Sequence, residues 1–580
     1  MAPGSILDTP VALAPESGIA RPRRVEAAFH WAEQILLGVA VIFYALHFLH
    51  LRADFPNHSP WMDWAKYTDE GWYGDAAIRH FQWGHWNVPG DFNPGAALPV
   101  WPLAEMALFR VTGVSLVAAR ALAVVVFGLI LLASYILLRR WAATGPRRRS
   151  LAPALAVLLL ATSPFCYVFT RMAILEPLLI LLGLCALLLA GRRNSKAPAA
   201  AGKPRALLPV AGLGCVLTLM VLTKTTGLFL FPAIFFALWG AADRSWRPFL
   251  RSALIVCGIS AALWSAYFIC FVRPHYLADY QYLFSANTYT RITADTFWSV
   301  LQETLMDGAS MGGALFWSAL IALGMWVVVG AVRRFHTPAL PTALVLWVTG
   351  YAAFLAYHAN FSPRYYTVIA VPLVLLLAMG FDSVLWAAWR GWRGRQAGVT
   401  VVTWALRLVA AGSALTVLFI LASGARQTLS YATHPEYTFL TAVHHLHDAI
   451  QRDLAADPHH SKVVLSISGS DISLITGLPS IDDDFGTMEL PDRIAAYKPG
   501  WFVAWNDVED DKMAALAPMY RVVRVGSYPA YDDPLRNLLV LYRLDPVDSP
   551  RRGRSGRRRY FVSPHRRPAR PVHPAAPASR

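Results

Sequence analysis

Apolar runs recur along most of the chain, each near the length of about 20 residues that an α-helix needs to cross a hydrocarbon core. Of the 580 residues, 56% are hydrophobic and 15% are charged, a composition too apolar for a soluble globular protein of this length. The sequence therefore predicts a polytopic α-helical membrane protein. Its eleven spans are expected at 31–51, 115–138, 151–169, 172–190, 206–223, 226–241, 252–271, 311–332, 339–357, 366–387 and 399–422.

The polar segment 1–30 contains Arg21, Arg23 and Arg24 and precedes an apolar run that is typical of an uncleaved signal anchor. We therefore expect this segment to be cytoplasmic. Arginine clusters then fall in the cytoplasmic loops, and the opposite loops carry only scattered basic residues, as the positive-inside rule requires. Topology accounts for most of the net charge of +16, so no nucleic acid is expected as a partner. The cytoplasmic loops are expected at 139–150, 191–205, 242–251, 333–337 and 390–398.

Segment 94–113 is apolar but contains three prolines and Glu105. Counting it as a span would invert every later loop, so we interpret it as an interfacial helix. Three outward regions remain: a first loop over 52–114, a Tyr-rich loop over 272–310 and everything after residue 423. The sequence thus predicts a protein of the inner (plasma) membrane whose function lies on the extracytoplasmic face.

The chain changes character after residue 423. Short apolar runs alternate with polar, helix-compatible stretches over 424–545, which favours a small extracytoplasmic α/β domain. Residues 546–580 are rich in Arg, Pro and Ser and have too few apolar side chains for a core. We predict that they form a basic, disordered tail.

The cysteines lie inside or at the edge of apolar runs, and their spacing provides neither a disulfide framework nor paired metal ligands. We interpret them as small core hydrophobes, and no cofactor motif is evident. They are Cys166, Cys185, Cys215, Cys257 and Cys270.

The first outward loop is unusually dense in acids and aromatic residues. An aromatic belt at the membrane interface would explain its Trp and Tyr residues, but such a belt does not require acids. The loop is therefore the first candidate for catalysis. Its acids are Asp63, Asp69, Glu70, Asp75 and Asp91.

Four further ionisable residues stand at the outward ends of predicted spans: Arg171, Glu176, Lys224 and Arg364. Ionisable side chains are costly at such positions and usually face a cavity. Each one alone is equally well explained as a snorkelling cation or a helix-end residue. Together with the loop acids they map to one membrane face, which favours a common site.

These residues resemble the motifs of the GT-C membrane glycosyltransferases, in the branch of protein O-mannosyltransferases and lipid A aminoarabinose transferases. That branch has an acid pair followed by Tyr in its first outward loop, as in Asp69–Tyr73 here. Its Arg-plus-apolar segment ending in Asp-Pro is similar to Arg171–Pro177, with Glu176 in place of Asp. Its later Lys and Arg-Tyr motifs are similar to Lys224–Gly227 and Arg364–Tyr365.

The resemblance covers about residues 30–390 and has one further departure. Many members have an acid-Lys-Pro motif where this chain has Asp91–Pro94, and the lysine is missing here. The Trp-Trp-Asp-Tyr-Gly signature of oligosaccharyltransferases is absent, which disfavours transfer of a whole oligosaccharide.

The resemblance implies transfer of a sugar from a polyprenyl-phosphate donor to an extracytoplasmic lipid, glycan or protein acceptor, with inversion at the anomeric carbon. Asp69 would be the general base. Glu70 and Glu176 would orient sugar hydroxyls or the base, or hold a divalent cation. The donor phosphate would be bound by Lys224, Arg364 and Arg171. The substrates would also contact Asp91, Tyr73 and Tyr365.

Two other function classes are compatible with a polytopic protein of this kind. The first is a transporter or flippase of lipid-linked sugars, but transporters place ions near the bilayer midplane and often contain internal repeats. Here the charges cluster at one face, and the sequence has no evident repeat. The second is a non-enzymatic surface receptor built around the carboxy-terminal domain.

Overall fold

The computed structural model describes residues 23–547 except 57–58, 62, 145–149, 192–206, 287–292, 295, 334–338, 359–361, 394–400 and 507–509. Segment 1–22 and the predicted tail from residue 548 onward therefore lie outside the described residues. The first part is almost entirely helical. Its helices are α1 (Arg23–Leu46), α2 (Asp69–Trp83), α3 (Val100–Thr112), α4 (Leu116–Thr144), α5 (Ala152–Thr162), α6 (Pro164–Phe169), α7 (Leu175–Ala190), α8 (Leu207–Thr223), α9 (Phe231–Ala241), α10 (Trp246–Tyr267), α11 (Arg273–His275), α12 (Leu277–Ala286), α13 (Phe297–Gly308), α14 (Gly313–Val332), α15 (Ala339–His358), α16 (Pro363–Arg393) and α17 (Val401–Thr433).

Seven helices within the described ranges are long and apolar enough to cross a membrane, among them α4, α16 and α17. The other four predicted spans coincide with shorter apolar helices at Ala152–Thr162, Leu175–Ala190, Leu208–Thr223 and Thr225–Ala241. The predicted fold class, a polytopic α-helical membrane protein, is therefore confirmed.

The span predicted over 151–169 is divided at Ser163 into α5 and α6. The Ser163 hydroxyl accepts a hydrogen bond from the backbone N–H of Cys166 at 3.3 Å, and Pro164 occupies the first turn of α6. Proline has no N–H to donate back into α5, so one continuous helix does not form.

Helix α3 falls within the segment predicted to be interfacial. It has 13 residues, or about 20 Å at 1.5 Å per residue, which is shorter than a hydrocarbon core. Trp101 and Glu105 are buried, whereas Leu103 and Val111 on the other side are exposed. A helix with one buried side and one exposed apolar side is consistent with a position at the membrane interface. The depth of α3 in the bilayer stays a prediction.

The carboxy-terminal part contains the small α/β domain that the sequence predicts. Its elements are α18 (Thr438–Ala456), β1 (Val464–Leu465), α19 (Gly469–Thr476), β2 (Ser480–Ile481), α20 (Leu490–Tyr497), β3 (Trp501–Trp505), α21 (Asp510–Leu516), β4 (Tyr520–Pro529) and β5 (Leu538–Pro546). The five-stranded sheet has the order β2-β1-β3-β5-β4, in which β1 is parallel to β2 and β3, and β5 is antiparallel to β3 and β4.

Helix α17 continues beyond the predicted span to Thr433, two residues before Pro435, and α18 begins at Thr438. Helices end readily there because a proline disfavours helical backbone in the residue before it. The first turn of α18 donates its N–H groups to the first outward loop: the Asp54 carboxylate accepts from Phe439 at 2.7 Å and from Leu440 at 3.1 Å. The loop thereby caps the first helix of the domain.

Helix α2 packs directly on α19 of the domain. The backbone N–H of Gly71 donates to an Asp471 carboxylate oxygen at 2.8 Å, and the Ser470 hydroxyl donates to Asp75 at 2.7 Å. A Cβ atom at position 71 would lie 2.2 Å from the carbonyl carbon of Ser470, so only glycine permits this approach. The domain therefore fixes the first turn of α2, where Asp69 lies.

Candidate active site

A cavity of about 380 Å³ lies between the first outward loop, the ends of several apolar helices and the carboxy-terminal domain. Each of these parts of the chain contributes to its wall. The lining residues are Thr68, Asp69, Trp72, Tyr73, Leu98, Leu175, Lys224, Thr225, Thr226, Leu283, Phe354, Arg364, Tyr365, Ile467, Asp484 and Phe485.

Asp69 is the first residue of α2 and lies in this wall. Its carboxylate oxygen Oδ2 is 3.1 Å from Nη2 of Arg364, and the Thr68 hydroxyl donates to Oδ1 at 3.3 Å. Burial raises the pKa of Asp69 to about 6, although the Arg364 charge acts in the opposite direction. The carboxyl group can therefore exchange a proton near neutral pH.

Arg364 lies at the start of α16 and contacts two acids of the first outward loop. Its guanidinium donates to Asp63 as well as contacting Asp69, and its backbone N–H donates to the other Asp63 oxygen at 2.7 Å. The guanidinium carbon is 4.8 Å from the centre of the Tyr365 ring. These contacts hold the cation at the cavity in one orientation.

Lys224 forms a buried ion pair with Glu176, the second residue of α7. Its ammonium nitrogen is also 4.2 Å from the centre of the Tyr365 ring. Lys224 lines the cavity, whereas Glu176 lies behind it and is fully buried. Lys224 and Arg364 therefore flank the same tyrosine and give this part of the wall a cationic character.

No protein-family model matches the chain, and no curated protein matches it in sequence. Solved structures do match in fold. The structure of ArnT from Cupriavidus metallidurans bound to undecaprenyl phosphate superposes with a TM-score of 0.58 at 15% identity, over 89% of this chain and 98% of that one. The chain has the GT-C fold.

The apo structure of the same ArnT is also similar to this chain, with a TM-score of 0.54 and 16% identity over 89% of this chain and 98% of that one. The Archaeoglobus fulgidus oligosaccharyltransferase tethered to an acceptor peptide gives a TM-score of 0.48 at 13% identity, over 89% of this chain and 74% of that one. The two ArnT structures confirm the expected GT-C fold.

The GT-C fold brings five of the predicted site residues to one cavity: Asp69, Tyr73, Lys224, Arg364 and Tyr365. Glu176 lies behind that wall as the partner of Lys224. The remaining three, Glu70, Arg171 and Asp91, are absent from the cavity lining, and each binds other parts of the chain.

Glu70 points toward the membrane helices. Its carboxylate accepts hydrogen bonds from the Arg120 guanidinium at 2.8 and 2.5 Å and from the backbone N–H of Ala173 at 3.0 Å. Arg171 donates to the backbone carbonyls of Leu49 and His50 at 2.6 and 2.9 Å. Glu70 thus connects α2 to neighbouring helices, and Arg171 binds the segment that precedes the first outward loop.

Asp91 lies in the interface between the first outward loop and the carboxy-terminal domain. Its carboxylate is 2.5 Å from the Arg79 guanidinium and 2.8 Å from that of Arg493, and it accepts from the backbone N–H of Asp482 at 3.1 Å. Asp91 also pairs with Gly486 in a single antiparallel bridge. In this position the carboxylate joins two parts of the chain.

The sequence analysis did not identify several residues of the site. Asp63 stood among the loop acids, but no motif marked it as the partner of Arg364. Ile467, Asp484 and Phe485 belong to the domain to which no motif could be assigned. Only the acidic run 482–484 was a signal there, and acidic runs are common on solvated surfaces.

Proposed function

We propose that this chain is a membrane glycosyltransferase that moves a sugar from a polyprenyl-phosphate carrier to a nucleophilic acceptor. The observation that carries the proposal is one cavity lined by the Asp69 carboxylate together with the cations of Lys224 and Arg364. The reaction needs a base for the acceptor and positive charge for the leaving phosphate. The shared fold of ArnT, which binds undecaprenyl phosphate in its solved structure, supports a donor of this class.

In the proposed reaction, the acceptor atom forms a bond to the anomeric carbon while the bond from that carbon to the phosphate oxygen breaks. The transition state is oxocarbenium-like, as in glycoside hydrolysis. The phosphate leaves as a stable anion, so it needs no strong acid. Asp69 takes the proton of the acceptor, and attack opposite the phosphate inverts the anomeric configuration.

Lys224 and Arg364 neutralise the charge that grows on the phosphate as it leaves. Glu176 and Asp63 hold these two cations in place from behind the cavity wall. Tyr73 and Tyr365 contact the substrates as parts of the same wall. Glu70, Arg171 and Asp91 act as positioning residues. Glu70 and Asp91 connect the first outward loop to the helices and the domain, and Arg171 binds the segment that precedes this loop.

Glu70 and Glu176 were the acids expected to orient sugar hydroxyls or the base, or to hold a divalent cation. Glu70 is paired with Arg120, and Glu176 is paired with Lys224. These cationic partners do not fit a metal ion at either acid, and the mechanism proposed here uses none.

The same proposal places the site on the extracytoplasmic face of the inner membrane. The arginine-rich loops support this orientation, because they mark the opposite face as cytoplasmic. The polyprenyl chain of the donor would then stay in the bilayer while its sugar reaches the cavity.

The direct test is to incubate the purified protein in detergent with labelled polyprenyl-phosphate sugars and candidate acceptors. Asp69→Asn should lower the transfer rate by about 100-fold or more, the usual contribution of a general base, and should leave the melting temperature nearly unchanged. The matched control is Asp492→Asn, which changes an exposed acid of the domain.

Full transfer activity in Asp69→Asn would overturn the assignment of the base. Movement of labelled lipid-linked sugar across the bilayer of reconstituted vesicles, with no transfer to any acceptor, would instead establish the transporter class.

A further inference from the structure

The cavity wall that the carboxy-terminal domain contributes is chemically different from the wall around Lys224. It includes the loop between β2 and α20, from which Asp484 and Phe485 line the cavity. The side chain of Asp484 is 49% exposed, and Phe485 is 36% exposed. The domain therefore presents a carboxylate and an aromatic face to whatever occupies the cavity.

This loop is held by its own domain. The Asp482 carboxylate accepts from the backbone N–H groups of Asp484 and Phe485 at 2.7 and 2.9 Å. The buried Lys512 ammonium donates to the Asp483 carbonyl at 2.9 Å and to the Asp484 carboxylate at 3.0 Å. Among the described residues, the second oxygen of Asp484 forms no hydrogen bond, and it can accept one from a ligand.

The loop is also held by the first outward loop. Arg493 of α20 donates to the carbonyls of Asp482 and Phe485 at 2.5 and 2.8 Å, and its contact with Asp91 connects these residues to the first outward loop. The Gly90 carbonyl accepts from the N–H groups of residues 487 and 488 at 2.8 and 3.0 Å. Two independent sets of contacts thus fix Asp484 and Phe485 beside the cavity before any ligand binds, which reduces the entropy lost on binding.

Aromatic rings from other parts of the chain pack in a row that begins at Phe485. The Phe485 ring is 6.2 Å from the Trp72 ring, and Trp72 is 5.6 Å from Phe92. Phe92 is 4.9 Å from Tyr282, in the outward region after α10. Trp72 and Phe485 both line the cavity, so its aromatic wall comes from two distant segments.

We propose that Asp484 and Phe485 form a subsite for a hydroxyl-bearing sugar ring. This inference rests on the proposed glycosyl transfer. The negative charge of Asp484 would repel a phosphate. The positive charges of Lys224 and Arg364 would attract one at the other wall of the cavity. A carboxylate accepts hydrogen bonds from hydroxyl groups, and aromatic faces with a few placed polar groups are typical of walls that orient small ligands. The ring belongs either to the donor or to a carbohydrate acceptor, and both sources have this chemistry.

Steady-state kinetics with the full-length protein, a polyprenyl-phosphate sugar and a carbohydrate acceptor test this subsite. Asp484→Asn should raise the KM for one of the two substrates about tenfold, as expected for the loss of one hydrogen bond to a charged group, with kcat changed much less. Asp484→Glu should recover part of the loss, and Phe485→Ala should raise the same KM. A raised KM for the donor identifies the donor ring, and a raised KM for the acceptor identifies the acceptor ring.

Glu489→Gln is the matched control, because Glu489 is an exposed acid in the same segment and is absent from the cavity lining. Melting temperatures of all variants separate loss of folding from loss of binding. An unchanged KM for both substrates in a folded Asp484→Asn protein overturns the subsite while the proposed function stands. Wild-type protein that transfers no sugar from any donor overturns the proposed function itself.

Discussion

Asp69 is the residue whose surroundings matter most for the proposed chemistry. It is buried beside one arginine, and the net effect raises the pKa of its carboxyl group to about 6. A general base is most effective when its pKa is close to the working pH, because it is then deprotonated and still able to bind a proton.

This pKa sets the expected pH dependence of transfer. A base must be deprotonated to act, so the transfer rate should fall as the pH decreases through about 6 and should reach a plateau above it. Initial rates at subsaturating substrate between pH 4.5 and 8 measure this profile. Melting temperatures over the same range serve as the control for unfolding, and a rate that is constant between pH 5 and 7 would contradict the assignment.

The pair of Lys224 and Glu176 gives a second prediction at this scale. Lys224→Met leaves the buried Glu176 carboxylate without its cation and should destabilise the protein by about 3–5 kcal/mol. Adding Glu176→Gln should restore most of this stability, because the uncompensated charge is removed, but it should not restore transfer. Thermal unfolding of the single and double variants in detergent measures the effect. Equal melting temperatures of Lys224→Met and the double variant would argue against coupling between Lys224 and Glu176.

At the scale of elements, α2 connects the cavity to the domain through its first turn. Gly71→Ala would place a methyl group 2.2 Å from the backbone of Ser470, so α2 and α19 must move apart. We expect a loss of about 1–3 kcal/mol in stability and a decrease in transfer. Gly258→Ala in α10 is the control, since a Cβ atom there meets nothing within 4 Å. Equal melting temperatures of the two variants would contradict this packing.

The sequence predicted the elements that have a strong periodic or compositional signal. Apolar helices such as α4 and α14 were found because their hydropathy is high over their whole length. The break between α5 and α6 was missed, although Ser163 and Pro164 are typical of a helix start. Strands β1 and β2 have only two residues each, too few for an alternating pattern.

At the scale of the whole molecule, the interface between the first outward loop and the carboxy-terminal domain contains a buried charge cluster. Arg79, Asp75, Asp91 and Arg493 contribute two positive and two negative charges. Breaking a buried cluster of this kind is costly, so it favours one relative placement of the two parts.

The sequence predicted residues of the candidate site only where charged side chains stood on the predicted outward side of the membrane. Lys224 and Arg364 were found because cations at the ends of apolar spans are unusual. The sequence did not predict that Asp484 lines the cavity, because this depends on how the loop between β2 and α20 packs against α2. The sequence analysis expected Asp91 to contact the substrates. Its pairing with Arg493 was not predicted, because Arg493 is 402 residues away along the chain.

The cavity wall also has a consequence for the timing of biosynthesis. Asp484 follows Asp69 by 415 residues, and the proposed base and the proposed sugar subsite come from these two regions. At about 5–20 residues per second, the ribosome needs roughly 20–80 s to make the intervening chain. A nascent chain thus exposes Asp69 well before Asp484 has been made, so the cavity is complete only after the carboxy-terminal domain has folded.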